Sequence, residues 1–149
     1  MIYLDSSALV KRYMKEAGSN DLKFIMAENQ KIATSKLAYP EILSAFMRKR
    51  RERKISRKAL DAVLARFGTD WDGMYVVEFH DELLPGIKSL VEKYPLKGAD
   101  AVHLSSALWL EHTAKEKVTF VASDESLLKA ARAEKLKVIN PMQNKPING

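Results

Sequence analysis

Four acids stand where an α/β chain could put them to work: Asp5, Glu41, Asp100 and Asp124. Asp5 follows the apolar run Ile2-Tyr3-Leu4, and Asp124 follows Thr119-Phe120-Val121-Ala122-Ser123, so each marks the carboxyl end of a predicted strand. Ligands of open α/β sheets bind in the crevice beyond those ends, which makes the two acids candidates for one shared site. Glu41 and Asp100 fall in the first turns of predicted helices. Each heads an apolar stripe, with Ile42 and Phe46 after Glu41 and Leu104, Ala107 and Leu108 after Asp100. An acid turned toward a core is costly unless it is paired or binds a metal. Converging carboxylates repel one another, and a hard dication relieves that repulsion. An all-oxygen ligand set without a His or Cys cluster selects Mg²⁺ or Mn²⁺ over zinc. Taken singly, each acid also suits a plainer role. Asp5 fits a turn, Asp124 fits the cap of the next helix, and Glu41 and Asp100 complement a helix dipole.

The elements that must carry these acids alternate along the chain. Ile2–Leu4, Ile32–Thr34, Tyr75–Phe79, Thr119–Ala122 and Val138–Ile139 read as short strands. Helices are predicted over 8–17, 21–28, 40–53, 57–68, 81–93, 100–112 and 126–134. Ser6 or Ser7 is expected to cap the first of these and Ser56 the fourth, while Gly18 and Gly68 are expected to end them. Pro40 suits the first helical position, and Pro85 is tolerated only near a first turn. Strands alternating with helices predict an α/β fold, a three-layer sandwich around a mostly parallel sheet. One domain is expected over 1–140, followed by a polar tail at 141–149.

Composition narrows the partners. The absence of cysteine excludes disulfides and zinc–thiolate sites and fits a reducing cytoplasm. Lys plus Arg total 25 against 19 acids, a net charge of +6 that favours polyanions. No apolar run approaches the roughly 20 residues that span a bilayer, and the opening Met-Ile-Tyr-Leu-Asp meets an acid too early for a signal peptide. No membrane partner is expected.

The motifs resemble those of PIN-domain nucleases, the VapC-type toxins in particular. Asp5-Ser6-Ser7-Ala8-Leu9-Val10-Lys11 is similar to their opening motif, and Tyr39-Pro40-Glu41-Ile42 carries the second acid. Asp100-Ala101-Val102-His103 resembles the third motif, and Phe120-Val121-Ala122-Ser123-Asp124 the fourth. Many relatives place a Thr two residues before the last acid; here Ala122 stands there, with Ser123 as the substitute hydroxyl.

The resemblance implies a five-stranded sheet of order 3-2-1-4-5, with Asp5 and Asp124 side by side. It also implies a Mg²⁺- or Mn²⁺-dependent endoribonuclease. Asp5 and Asp100 would be direct metal ligands, Glu41 and Asp124 ligands or orienting groups, and Ser6 a supporting hydrogen-bonding residue. The implied partners are RNA, a small DNA-binding antitoxin and a second copy of the chain. A processing nuclease without an antitoxin, or a silent binding relative, is the alternative. A phosphatase of the haloacid-dehalogenase type would need an acid where Ser7 stands.

Three further features have dual readings. Arg48, Lys49, Arg50, Arg51, Arg53 and Lys54 follow the Glu41 helix and could hold RNA backbone near the metal, or simply solvate a helix end. His103 reads as a packing or hydrogen-bonding residue before it reads as a base. Leu9, Tyr13, Ala38, Ile42 and Phe46 could belong to the core or to a dimer or antitoxin face.

Overall fold

The computed structural model describes residues 1–29 and 31–143; the end of the expected tail, 144–149, lies outside the described residues. Its strands are β1 (Ile2–Leu4), β2 (Ile32–Ser35), β3 (Tyr75–Val77), β4 (Thr119–Val121) and β5 (Lys137–Ile139). All pair in parallel, in one five-stranded sheet of order β3-β2-β1-β4-β5. Leu4 lies opposite Val121, so the chain's winding reverses between β1 and β4, the place where such sheets open a crevice.

The helices are α1 (Ser6–Leu9), α2 (Ser19–Ala27), α3 (Ala38–Arg51), α4 (Arg57–Gly73), α5 (Leu84–Lys93), α6 (Gly98–Ala114) and α7 (Glu125–Ala133). Strand alternation sorts them into two layers, because successive side chains face opposite sides of the sheet. Ile2, Leu4 and Val121 pack with α1–α4, while Tyr3, Ala33 and Phe120 pack with α5–α7. Each fully buried Leu, Ile or Phe contributes about 1.5–3 kcal/mol. The expected sandwich and strand order are both present.

Boundaries moved where tertiary contacts outweigh local signals. The first helix was expected over 8–17, but α1 ends at Leu9 and tightens into a 3₁₀ turn over Val10–Arg12. Tyr13 stops it: the ring meets Phe46 and Phe67 edge-on, and the hydroxyl donates to Asp70 at 2.7 Å. Gly18, expected to end that helix, instead precedes α2 with φ 91°. Gly68 does not stop α4, which runs on to Gly73 because the apolar stripe continues to Trp71. A mid-helix Gly costs only about 1 kcal/mol relative to Ala.

α3 and α4 form an antiparallel hairpin. Tyr39 packs tilted against Phe67 and edge-on against Trp71, and Phe46 meets Phe67 edge-on. Leu9, Tyr13, Ala38, Ile42 and Phe46 are all buried in this layer, so they are core and present no free face to a partner.

Candidate active site

The acids gather around the carboxyl ends of β1 and β4. The Asp5 amide donates to the Val121 carbonyl at 3.2 Å, tying the two strand ends together. The Asp5 carboxylate accepts from the Ala8 amide at 2.9 Å and from the Ser7 hydroxyl at 2.8 Å. Asp5, rather than Ser6 or Ser7, therefore caps α1. A carboxylate caps as well as a hydroxyl does, and it also favours the positive end of the helix. Asp5 is only 4% exposed, and burial pushes its carboxyl above the ordinary range despite His103 and these hydrogen bonds; Asp100 adds to the rise.

Ser6 is thereby left for another task. Its hydroxyl donates to Glu41 Oε1 at 2.6 Å, and His103 Nε2 meets the same oxygen at 2.9 Å. On the other side of the imidazole, Nδ1 lies 2.8 Å from the Tyr3 hydroxyl. With the ring proton on Nε2, the imidazole accepts from Tyr3 and donates to Glu41, so every contact is satisfied. Burial alone would raise the Glu41 carboxyl, but the hydrogen bonds from His103 and Ser6 bring it below its usual value. Tyr3 is fully buried and stacked on Phe120 at 5.5 Å, and desolvation holds its phenol well above the usual range.

Asp100, in the first turn of α6, accepts no hydrogen bond among the described residues. Burial raises its carboxyl; Asp124 and Glu41 raise it further, and His103 and Lys97 oppose them. Asp100 thus raises Asp5 and is itself raised by Asp124, which links the three acids electrostatically. Asp124 is exposed and caps α7, accepting from the Leu127 amide at 2.8 Å, the plainer role that its position allowed. The Ser123 hydroxyl beside it is buried without a hydrogen-bond partner among the described residues.

Shared electrostatics do not amount to a finished ligand cage. Among the described residues, no three His, Cys, Asp or Glu side chains are grouped closely enough to hold one metal ion. The physical reason lies in the bonds just described: Asp5, Glu41 and Asp124 each spend oxygens on a cap or on His103 and Ser6. The donors still fit a hard dication. Mg²⁺ retains several waters and takes one or two carboxylates, and Asp5 and Asp100 are acids held above their usual range, chiefly by burial.

The basic segment is not brought to the acids. Glu41 opens α3, whereas Arg48, Lys49, Arg50 and Arg51 close it, and Arg53 and Lys54 form the turn of the hairpin. Ten residues of helix separate Glu41 from Arg51, about 15 Å. Arg50 donates to the Ile55 carbonyl and Lys54 pairs with Glu52, as suits an exposed helix end.

Sequence reasoning missed the pairing of His103 with Glu41 and the approach of Lys97 to Asp100. One signal was available: His103 lies three residues after Asp100, on the same face of α6.

Known proteins bear on this geometry. Residues 2–133 match the model of the PIN domain family. The chain is similar to ribonuclease VapC45 of Mycobacterium tuberculosis strain CDC 1551 / Oshkosh, with 31% identity over 112 residues, covering 72% of this chain and 75% of the relative. Ribonuclease VapC49 of strain H37Rv matches to the same extent. Among solved structures, a chain of FitAB bound to an IR36 DNA fragment superposes with a TM-score of 0.72 at 13% identity, covering 99% of this chain and 100% of that one. VapBC2 of Rickettsia felis, bound to a promoter DNA fragment, gives a TM-score of 0.63 at 16% identity, with 94% and 98% covered. At such identities these two likenesses concern the fold alone.

Proposed function

Because this chain belongs to the PIN-domain family, we propose that it is a divalent-metal-dependent endoribonuclease and the toxin half of a VapBC-type pair, with residues 1–140 as the nuclease domain. The observation that carries the reading is the pair Asp5 and Asp100 at the β1/β4 switch point, both raised by burial, with Asp100 adding to the rise of Asp5 and Asp124 to that of Asp100. Structural acids are ordinarily held below their usual range by partners, and functional ones are the exception. The relatives named ribonucleases support the substrate class.

Mg²⁺ or Mn²⁺, when bound, supplies positive charge opposite the scissile phosphate and Lewis acidity toward water. Asp5 and Asp100 would hold it, with Asp124 assisting directly or through water. Glu41 is fixed through Oε1 by Ser6 and His103 and kept ionised, so it can orient an attacking water and accept its proton. The water oxygen bonds to phosphorus as the bond to the leaving ribose oxygen breaks. Ser123 offers an unspent hydroxyl to the same end of the sheet. Arg48, Lys49, Arg50, Arg51, Arg53 and Lys54 supply exposed phosphate contacts from the hairpin tip, which position RNA without reading its sequence. A small DNA-binding antitoxin and a second copy of the chain are the proposed protein partners, in a cytoplasmic setting.

The test is Asp5→Asn, which keeps the cap of α1 and removes the charge. Cleavage of unstructured RNA in Mg²⁺ should vanish while the far-UV CD spectrum persists. Full activity in that variant would remove Asp5 from the site.

A further inference from the structure

Three cations that the acid site does not use meet on the outer face of the α1–α4 layer. Lys15 follows the 3₁₀ turn, Lys23 lies on α2 and Arg66 on α4, and together with Lys11, Arg12 and Asn20 they line a recess of about 280 Å³. Two of the five positive charges are already spent: Lys11 pairs with Glu16 at 3.0 Å and Arg12 with Asp70 at 2.7 Å. Lys15, Lys23 and Arg66 make no ion pair among the described residues, and all three are exposed.

Arg66 is held in place. Its guanidinium donates to the Arg12 carbonyl at 3.3 Å and lies 5.6 Å from the centre of the Tyr13 ring, leaving most of its donor fork unspent. Like charges in a concavity repel one another and focus their field, and an anion relieves both effects. The volume falls just below the roughly 300 Å³ at which ligand pockets usually begin, which suits a phosphoryl group better than a whole nucleotide. Lys11 lies six residues past Asp5, on the 3₁₀ turn that continues the helix Asp5 caps.

We infer that the recess between the 3₁₀ turn, α2 and α4 is a phosphate subsite that grips the backbone of single-stranded RNA away from the scissile bond, an inference that rests on the ribonuclease reading. The hairpin tip carries more cations, six at Arg48–Lys54, but they lie at a helix end and its turn and line no shared recess among the described residues, so water screens each one. The recess is therefore the stronger grip, and the tip the weaker.

Fluorescence anisotropy of the full chain with a labelled, unstructured 20-nucleotide RNA in EDTA measures both. The variant Lys15→Gln/Lys23→Gln/Arg66→Gln should bind at least about 10-fold more weakly. Its salt slope should be shallower by about 2, because each phosphate contact to a single strand contributes about 0.7. Arg48→Gln/Lys49→Gln/Arg51→Gln should lose about 3-fold. Recess variants that bind within 2-fold of the parent with an unchanged slope overturn the inference. Mg²⁺-dependent cleavage of the same RNA by the unmodified chain separates the two claims. A chain that binds and cleaves while the recess variant is unaffected loses only the subsite, whereas a chain that does neither loses the ribonuclease reading as well.

Inorganic phosphate and a polyglutamate peptide, each at matched ionic strength, identify the ligand source. Variants that weaken inorganic phosphate binding but not RNA binding make the recess a free-anion site and overturn the assignment. Equal losses for polyglutamate and RNA do the same by showing generic acid binding. The charge-keeping Lys23→Arg should retain RNA affinity, and Lys23→Glu alone should reproduce most of the loss if the triple variant does not fold.

Discussion

Asp70 and Asp100 are both partly withdrawn from water, yet their surroundings drive them in opposite directions. Burial would raise Asp70, but Arg12 and Tyr13 donate to it, at 2.7 Å in each case, and hold it below its usual range. Asp100 has no such donors among the described residues, and burial and Asp124 raise it. Arg12 gains in turn, its guanidinium pushed still higher by Asp70, while the Tyr13 phenol is driven up by burial and by the same carboxylate. One carboxylate staples the 3₁₀ turn to α4. The other weakens its own fold, and a fold keeps such a residue only where the charge has work to do.

The largest expected effect tests that contrast directly. Asp100→Asn should lower Mg²⁺-dependent RNA cleavage by at least about 10³-fold, roughly 4 kcal/mol of barrier, whereas Asp70→Asn should leave it within a few-fold. Equal losses in the two variants would erase the distinction. Stability should rank them the other way. Urea unfolding of Asp70→Asn should show a loss of about 1.5–3 kcal/mol, the usual contribution of a hydrogen bond to a charged group.

The pH dependence follows from the signs. Asp70 is depressed in the folded protein, so its stabilisation is present above the ordinary carboxylate range and is lost as pH falls through its lowered value. Asp5 and Asp100 are raised, so their contribution is fully present at low pH and is lost as pH rises through their elevated values. At neutral pH, Asp5→Asn should therefore melt at a higher temperature than the parent chain, and the gain should shrink on acidification. A lower melting temperature at pH 7 would place Asp5 with the structural acids. The smallest effect is expected from Ser6→Ala, which removes one donor from Glu41. About 0.5–1.5 kcal/mol of stability should go, together with a modest loss of turnover.

Much of the fold could be read from local pattern. The apolar runs ending in Asp5 and Asp124 are strands, and Ser56 caps α4 as expected, accepting from the Ala59 amide at 3.1 Å. β3 ends at Val77, two residues short of the apolar run Tyr75–Phe79, and Gly68 lies inside α4, where the apolar stripe overrides its local stop signal. In the site, the identities of the acids were legible but their partners were not. Ser6 looks like a cap in sequence, and only the presence of Asp5 one residue earlier frees it for Glu41.

The chain's one-dimensional pattern determined the strand–helix alternation, the acids at the strand ends and the absence of thiol chemistry, because periodicity, caps and composition act over a few residues. The contacts of greatest consequence join positions far apart. Tyr3 meets His103 across 100 residues, Arg12 meets Asp70 across 58, and Lys15, Lys23 and Arg66 converge from separate segments. Tertiary packing decided these, since whether a charge is relieved or left straining depends on which distant side chain the fold brings within about 3 Å. The dense run of cations at Arg48–Lys54 ended on a hairpin tip, while three scattered ones came to share a recess.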